Sequence, residues 1–310
     1  MSAGIDVHQH LWPERLLEAL ARRDRPPLLR RSRGEWLLRI EGEPEWPVDP
    51  ADHDPERRAA ALADDDLERA VVALSSPLGI EALPADEAAE LLEAYHEGVA
   101  DLPHGLMAWA AAGLAEPDPA ALAALLDRGF VGLCLPAGAL SGPDGVIRVA
   151  PLLAVLEERD APLFVHPGPA PWSAVDPHGA GGPAWWPALT GYVAQMSAAW
   201  LAFRTWVRPA HPDLRACFAM LAGLAPLQGG RLASRGVDLP ATDPGLFLDT
   251  SSYGPDAVRA VADVVGLGSL VYGSDRPVVS PPPGVPGGLS PTLTRALNPA
   301  RLLALQEVHA

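Results

Sequence analysis

The stretch Ile5-Asp6-Val7-His8-Gln9-His10 sets the reading of this chain. Side chains two apart in a strand leave from the same face, so His8 and His10 emerge together at the strand's carboxyl end. Two distant runs close in the same way. Pro162-Leu163-Phe164-Val165-His166-Pro167 ends its apolar stretch on an imidazole, and Leu270-Val271-Tyr272-Gly273-Ser274-Asp275 ends on a carboxylate. Strands buried on both faces read as unbroken apolar runs, and parallel α/β proteins place their sites where such strands end. Three imidazoles and one carboxylate make a donor set suited to one divalent metal, zinc first, with manganese, iron or cobalt as alternatives.

Outward from these runs the chain alternates. Strands are expected at 5–10, 70–74, 106–110, 131–135, 163–166, 214–220, 246–248 and 270–272. Helices are expected at 14–23, 55–65, 85–100, 119–128, 147–159, 189–207, 255–265 and near 299–305. Strands alternating with helices pair in parallel through right-handed crossovers, and eight such units close a TIM (β/α)8 barrel. Residues 26–54 break the rhythm: rich in Pro, Arg, Glu and Trp, they read as a small hairpin-like insertion after strand one. A single barrel domain over 1–310 is therefore expected. Strand eight then lies beside strand one, which makes His8, His10 and Asp275 neighbours, and His166 faces them across the mouth.

The 310 residues carry 39 acidic side chains against 23 arginines, with no lysine, for a formal net charge of −16. Such a surface repels nucleic-acid phosphates and anionic membranes, which leaves a small molecule as the expected partner. Apolar stretches such as 105–115 fall well short of the roughly 18 residues of a membrane span. Asp6 interrupts the first apolar run, so no secretory leader is read there. Cys134 and Cys217 lie far apart in apolar segments and read as reduced core thiols, which suits a cytoplasmic location.

With these runs in place, the chain resembles the amidohydrolase superfamily, in the amidohydrolase-related branch that includes aminocarboxymuconate semialdehyde decarboxylase and resorcylate decarboxylase. The resemblance covers nearly the whole chain. It is carried by Asp6-Val7-His8-Gln9-His10, Gly129-Phe130-Val131-Gly132-Leu133, Phe164-Val165-His166-Pro167, Trp185-Trp186-Pro187-Ala188-Leu189-Thr190-Gly191-Tyr192 and Pro212-Asp213-Leu214. It continues through Phe247-Leu248-Asp249-Thr250-Ser251, Val271-Tyr272-Gly273-Ser274-Asp275-Arg276-Pro277 and Asn298-Pro299-Ala300-Arg301-Leu302-Leu303. It implies a TIM barrel, a homodimer, and one divalent metal held by His8, His10, His166 and Asp275. The chain departs from the branch at the end of strand six, where Met220 stands in place of a proton-transfer histidine. A thioether neither moves a proton nor binds a hard cation.

Other groups are candidates for the site. Asp275 is the expected general base, since one oxygen can bind a metal while the other takes a proton. His178, in the loop after strand five, is a candidate to replace the missing histidine. Arg39 of the insertion offers a planar fork for a substrate carboxylate, and Trp185, Trp186 and Tyr253 are expected to line the pocket. Asp249 is read as a group that orients a ligand without binding metal. His53, His96, His104, His211 and His309 are read as surface or helix-end residues. The first functional reading is a metal-dependent hydrolase of a small carboxylate, amide, ester or lactone. The alternatives are a non-oxidative decarboxylase of an aromatic or unsaturated acid, and a metal-binding non-enzyme left by the loss of the strand-six histidine.

Overall fold

Runs of small and branched apolar residues, such as Ala70-Val71-Val72-Ala73-Leu74, are wholly sealed from solvent in the computed structural model, which describes residues 4–173, 183, 185–279 and 288–305. They form a parallel sheet covered on both faces. In chain order, β1 (Ile5–His10) precedes an insertion of β2 (Leu28–Ser32), β3 (Glu35–Arg39) and β4 (Trp46–Val48). Then come β5 (Arg69–Ala73), β6 (Leu106–Ala108), β7 (Ala110–Ala111), β8 (Leu133–Pro136), β9 (Leu163–His166), β10 (Ala216–Phe218), β11 (Leu246–Asp249) and β12 (Leu270–Val271).

β1 pairs with β5 and β5 with β6, while β7 to β12 pair in succession, all in parallel. Two junctions join these sheets into a ring. β6 and β7 are one strand interrupted at Trp109, whose N–H donates to Val72 O at 2.9 Å, while Val131 N donates to Ala108 O and Ala110 N to Gly132 O. Beyond β12, Val7 N donates to Tyr272 O (3.0 Å), Asp275 N to His8 O (2.8 Å) and His10 N to Arg276 O (2.7 Å). The eighth strand thus runs along the first, and the expected TIM barrel is the observed fold.

Three differences from the expected elements matter for the site. The insertion is a three-stranded antiparallel sheet in the order β2-β3-β4, and its first turn is Arg33-Gly34, both at positive φ (52° and 93°), which suits the twist of a two-residue hairpin. The helix expected over 189–207 starts afresh as Gly191–Ala202, because Thr190 leaves helical geometry at φ −123° and ψ −69°. The sixth barrel strand stops at Phe218, and Met220 to Leu224 then take five successive left-handed conformations, with φ from 49° to 63°.

Inside the barrel, Trp109 stacks on Phe164 with ring centroids 5.3 Å apart, and its Nε1 donates to Val7 O at 3.0 Å. Cys134 and Cys217 are free and buried in strands. Among the described residues no helix is long and apolar enough to cross a membrane.

Candidate metal centre

β1 delivers His8 and His10, β9 delivers His166, and the turn after β12 delivers Asp275 from a left-handed backbone (φ 61°) that Asp tolerates better than most residues. All four side chains are buried. His8 Nε2 lies 3.1 Å from His10 Nε2, and Asp275 Oδ1 lies 3.4 Å from the first and 3.1 Å from the second. With His166 included, one ligand atom from each residue falls within 4.8 Å of all the others. Donors bound at 2.0–2.1 Å around a tetrahedral zinc stand about 3.3 Å apart, so the spacing of the first three suits an ion.

The far side of each ring shows why a cation belongs here. His8 Nδ1 faces Asp249 Oδ2 at 2.6 Å, His10 Nδ1 faces Ala73 O at 3.3 Å, and His166 Nδ1 faces Pro167 O at 2.9 Å. Carboxylate and carbonyl oxygens only accept, so in each neutral ring Nδ1 carries the hydrogen and Nε2 is left a lone pair. Three lone pairs and a carboxylate oxygen converge on one buried volume and repel one another unless a positive charge sits among them. The residues present therefore fit a divalent metal.

Without an ion, a proton takes that role. Burial opposes charge on His8, but Asp249 and Asp275 outweigh it and raise its pKa to about 9. Burial pulls the pKa of His10 down and that of His166 well down, aided in both by the neighbouring imidazoles. Burial alone would raise Asp275; the charge of His8 and a hydrogen bond from His10 hold it at about 2.

Asp249, at the end of β11, does not join the ligands. Its Oδ2 holds His8, and its Oδ1 accepts from Met220 N (3.0 Å), Ser251 N (2.9 Å) and Ser251 Oγ (2.6 Å). This is the orienting role expected of it. Gly273 permits the arrangement, for a Cβ there would stand 2.9 Å from Asp249 Cγ and 2.9 Å from His8 Cβ. Met220 occupies the strand-six position with its amide turned to Asp249, so the left-handed run it begins, costing roughly 1–2 kcal/mol per non-glycine residue, is spent beside the site.

The remaining candidates fall elsewhere. Arg39 is exposed at the end of β3, with no hydrogen-bond or ion-pair partner among the described residues. Trp185 and Trp186 pack on each other at 5.8 Å and stay 55% and 43% exposed. Tyr253 is half-buried against the core, and His178 lies outside the described residues. His53 ends the short helix Pro50–His53 and His96 lies in the last turn of the helix Ala85–Gly98, so both are helix-end residues, but neither lies at the surface. His53 is buried and stacked on Trp12 at 4.4 Å, its Nδ1 accepting from Trp12 N, and His96 is buried and accepts from Ala111 N. Burial and the Arg58 guanidinium hold His53 neutral, with a pKa of about 3.

Three groups at the mouth escaped sequence reasoning. Ser252, at φ 64°, points its Oγ to Asp275 Oδ2 at 3.4 Å. Tyr192 donates its hydroxyl to the Glu43 carboxylate of the insertion. Only the place of Tyr192 as the last residue of the Trp185–Tyr192 motif hinted at a role.

A family model described as amidohydrolase matches residues 5–301. No curated protein matches the sequence. Among solved structures, the fold is similar to an apo IDCase from Metarhizium anisopliae, with a TM-score of 0.79 and 18% identity over 98% of both chains. It is similar to a 5-carboxyvanillate decarboxylase from Novosphingobium aromaticivorans complexed with manganese and 4-hydroxy-3-methoxy-5-nitrobenzoic acid (TM-score 0.71, 17% identity, 98% of this chain and 96% of that). A 2,6-dihydroxybenzoate decarboxylase from Rhizobium gives a TM-score of 0.67 at 17% identity, over 98% of this chain and 99% of that. At such identities these structures speak for the fold, whereas the family model reaches from β1 through the strand-eight aspartate: the chain belongs to the amidohydrolase family.

Proposed function

We infer that this protein is a metal-dependent enzyme acting on a small carboxylic acid, and that its reaction is non-oxidative decarboxylation. The observation that carries the reading is the convergence of His8, His10, His166 and Asp275, three Nε2 lone pairs and a carboxylate oxygen aimed at one point. These four residues are the proposed ligands of one divalent ion, zinc or manganese. Bound there, the ion supplies a fixed positive charge that orients a substrate carboxylate and stabilises negative charge developing beside it.

The chain's own groups do the rest. Asp249 keeps His8 in one tautomer and one orientation. Phe164 and Trp109 close the floor of the site with stacked rings and exclude water from below. Asp275 turns Oδ1 to the histidines and Oδ2 to Ser252, so its second oxygen is the proposed place where a proton is held during turnover. The similar solved structures named as decarboxylases, one holding manganese and an acid, support the lyase reading over hydrolysis. Hydrolysis of an amide, ester or lactone is the second reading, favoured by Met220: protonating a carbon needs an acid that a thioether cannot supply, whereas activating water needs only a carboxylate such as Asp275.

The test begins with metal. Protein reconstituted with zinc or manganese should hold about one equivalent, and His8→Ala with His10→Ala should hold little. Loaded protein is then offered aromatic and unsaturated carboxylic acids, with carbon dioxide measured, and lactones and amides, with acid release measured. Metal-dependent carbon dioxide supports the lyase, and acid release alone establishes the second reading. Bound metal without either activity would leave a metal-binding protein that is not an enzyme.

A further inference from the structure

β1 and β5 do not keep step. Between the pairs Asp6–Ala70 and Gln9–Val72, three residues of β1 advance against two of β5, the mark of a β-bulge. Gln9 alternates with His8 and His10, so it leaves on the face away from the ligand cluster, and in a regular strand Asp6, three residues earlier, would leave on the other. The bulge brings Asp6 to the face of Gln9, whose Nε2 donates to Asp6 Oδ2 at 2.8 Å. The His8 amide, inside the bulge, donates to Asp6 Oδ1 at 3.0 Å. From the outer side, the Arg58 guanidinium of the helix Pro55–Ala60, the first after the insertion, donates to Gln9 Oε1.

Asp6 Oδ1 also accepts from Ser274 N at 3.1 Å, 268 residues along the chain. Ser274 directly precedes Asp275, whose own amide donates to His8 O at 2.8 Å. One carboxylate oxygen thus holds the backbones of two proposed ligands at a fixed distance, His8 on strand one and Asp275 after strand eight. The Ser274 hydroxyl stands beside the same carboxylate. Asp6, Gln9 and Arg58 are all buried, so any bond lost from this chain of contacts leaves a buried polar group without its partner.

We propose that Asp6 is a positioning residue, whose Oδ1 sets the spacing of His8 and Asp275 while Gln9 and Arg58 hold that oxygen in place from the outer face. Asp249 orients the ring of His8, whereas Asp6 acts on the backbone that carries it. The proposal rests on the reading that a divalent ion binds at the four-ligand cluster, and its test separates the two.

Cobalt(II) is the probe, because its visible bands report ligand geometry and no turnover is needed. Asp6→Asn sets donor against donor wherever its amide and that of Gln9 are placed: at the His8 and Ser274 amides, between the two NH2 groups, or at Arg58. It should bind cobalt at least about tenfold more weakly than wild type, with displaced bands. Asp6→Asn combined with Gln9→Glu moves the charge by one residue and restores every pairing. The new amide oxygen still accepts from His8 N and Ser274 N, its NH2 donates to the new carboxylate, and that carboxylate accepts from Arg58. The double variant should regain the wild-type bands and an affinity within about threefold of wild type. Wild-type bands and affinity in Asp6→Asn, even with a lowered Tm of the metal-free protein, would show that Asp6 serves the fold alone and overturn the proposal. So would a double variant no better than Asp6→Asn. Should Asp6→Asn not fold, the double variant still decides: wild-type bands are expected of it, and displaced bands or failure to fold would overturn the proposal. Wild-type protein that takes up none of zinc, manganese or cobalt would overturn the metal reading, and this proposal with it.

Discussion

Asp249 stands 2.6 Å from Nδ1 of His8 and grips that ring on the side away from the ligand cluster. Its other oxygen accepts three hydrogen bonds, so nothing about the carboxylate is free to turn. The pair spans 241 residues of chain and ties strand seven to strand one directly behind the proposed metal.

Asp249→Asn cannot satisfy its neighbours, because either placement of the amide sets an NH2 group against a donor. Metal affinity should fall about 10–100-fold, the usual cost of losing an orienting partner. A competition titration with a chelator of known affinity reads this directly. Affinity equal to wild type would show that His8 is held by something else.

Gly273→Ala tests the same pair from the other strand. The added methyl would press on Asp249 and His8 at 2.9 Å, which overpacking arguments place at about 1–3 kcal/mol of lost stability. The expected outcome is a lowered Tm together with weaker metal binding. A variant that melts and binds like wild type would mean the backbone of strand eight yields freely.

Glu81 predicts a pH dependence away from the centre. It is fully buried, its Oε1 accepts from Ser76 Oγ at 2.7 Å, and its Oε2 has no partner among the described residues. Burial raises its pKa from 4.5 to about 7, with Ser76 only partly compensating. The folded protein thus keeps a proton that the unfolded chain releases between about pH 4.5 and 7, and stability is lost as pH rises through that window, by an amount on the order of 3 kcal/mol. Glu81→Gln should therefore raise the denaturation midpoint at pH 8 and change it little at pH 4.5. An equal effect at both pH values would exclude ionisation of Glu81 as the cause.

Met220→His addresses the reaction. Position 220 has φ 53°, a conformation histidine enters more readily than most side chains, so the backbone need not move. If the protein is a decarboxylase short of an acid, carbon dioxide release should rise at least about tenfold at unchanged metal content. Unchanged release from a fully loaded variant would show that another group already delivers the proton.

The pattern of apolar runs was enough to place all eight barrel strands. It also placed the four convergent side chains, since each lies close to or just beyond the carboxyl end of a strand and strand ends share one rim. The missing elements were those without a period. The run Met220 to Leu224 contains Leu221, Ala222 and Leu224 at positive φ, and no propensity favours those residues there. The pairing of β3 with β4 lies within the expected hairpin, whereas β2 is not legible, because Leu28-Leu29-Arg30-Arg31-Ser32 shows no alternation and forms a strand only against β3. His53 reads as a surface or helix-end residue, and its burial follows from the ring of Trp12 stacked against it.

The sequence by itself thus determined the barrel and the membership of the ligand cluster. Strand periodicity dictates which face a side chain leaves from, and a buried parallel strand announces its own end by the first polar residue after its apolar run. Tertiary structure alone decided which hydrogen bonds each group makes. Asp249 fixes the tautomer of His8 across 241 residues, Ala73 and Pro167 fix those of His10 and His166, and Tyr192 draws Glu43 to the mouth across 149 residues. The physical reason is that a hydrogen bond depends on donor and acceptor meeting within about 3 Å at the right angle. Strand ends distant along the chain meet that condition only once the barrel has closed.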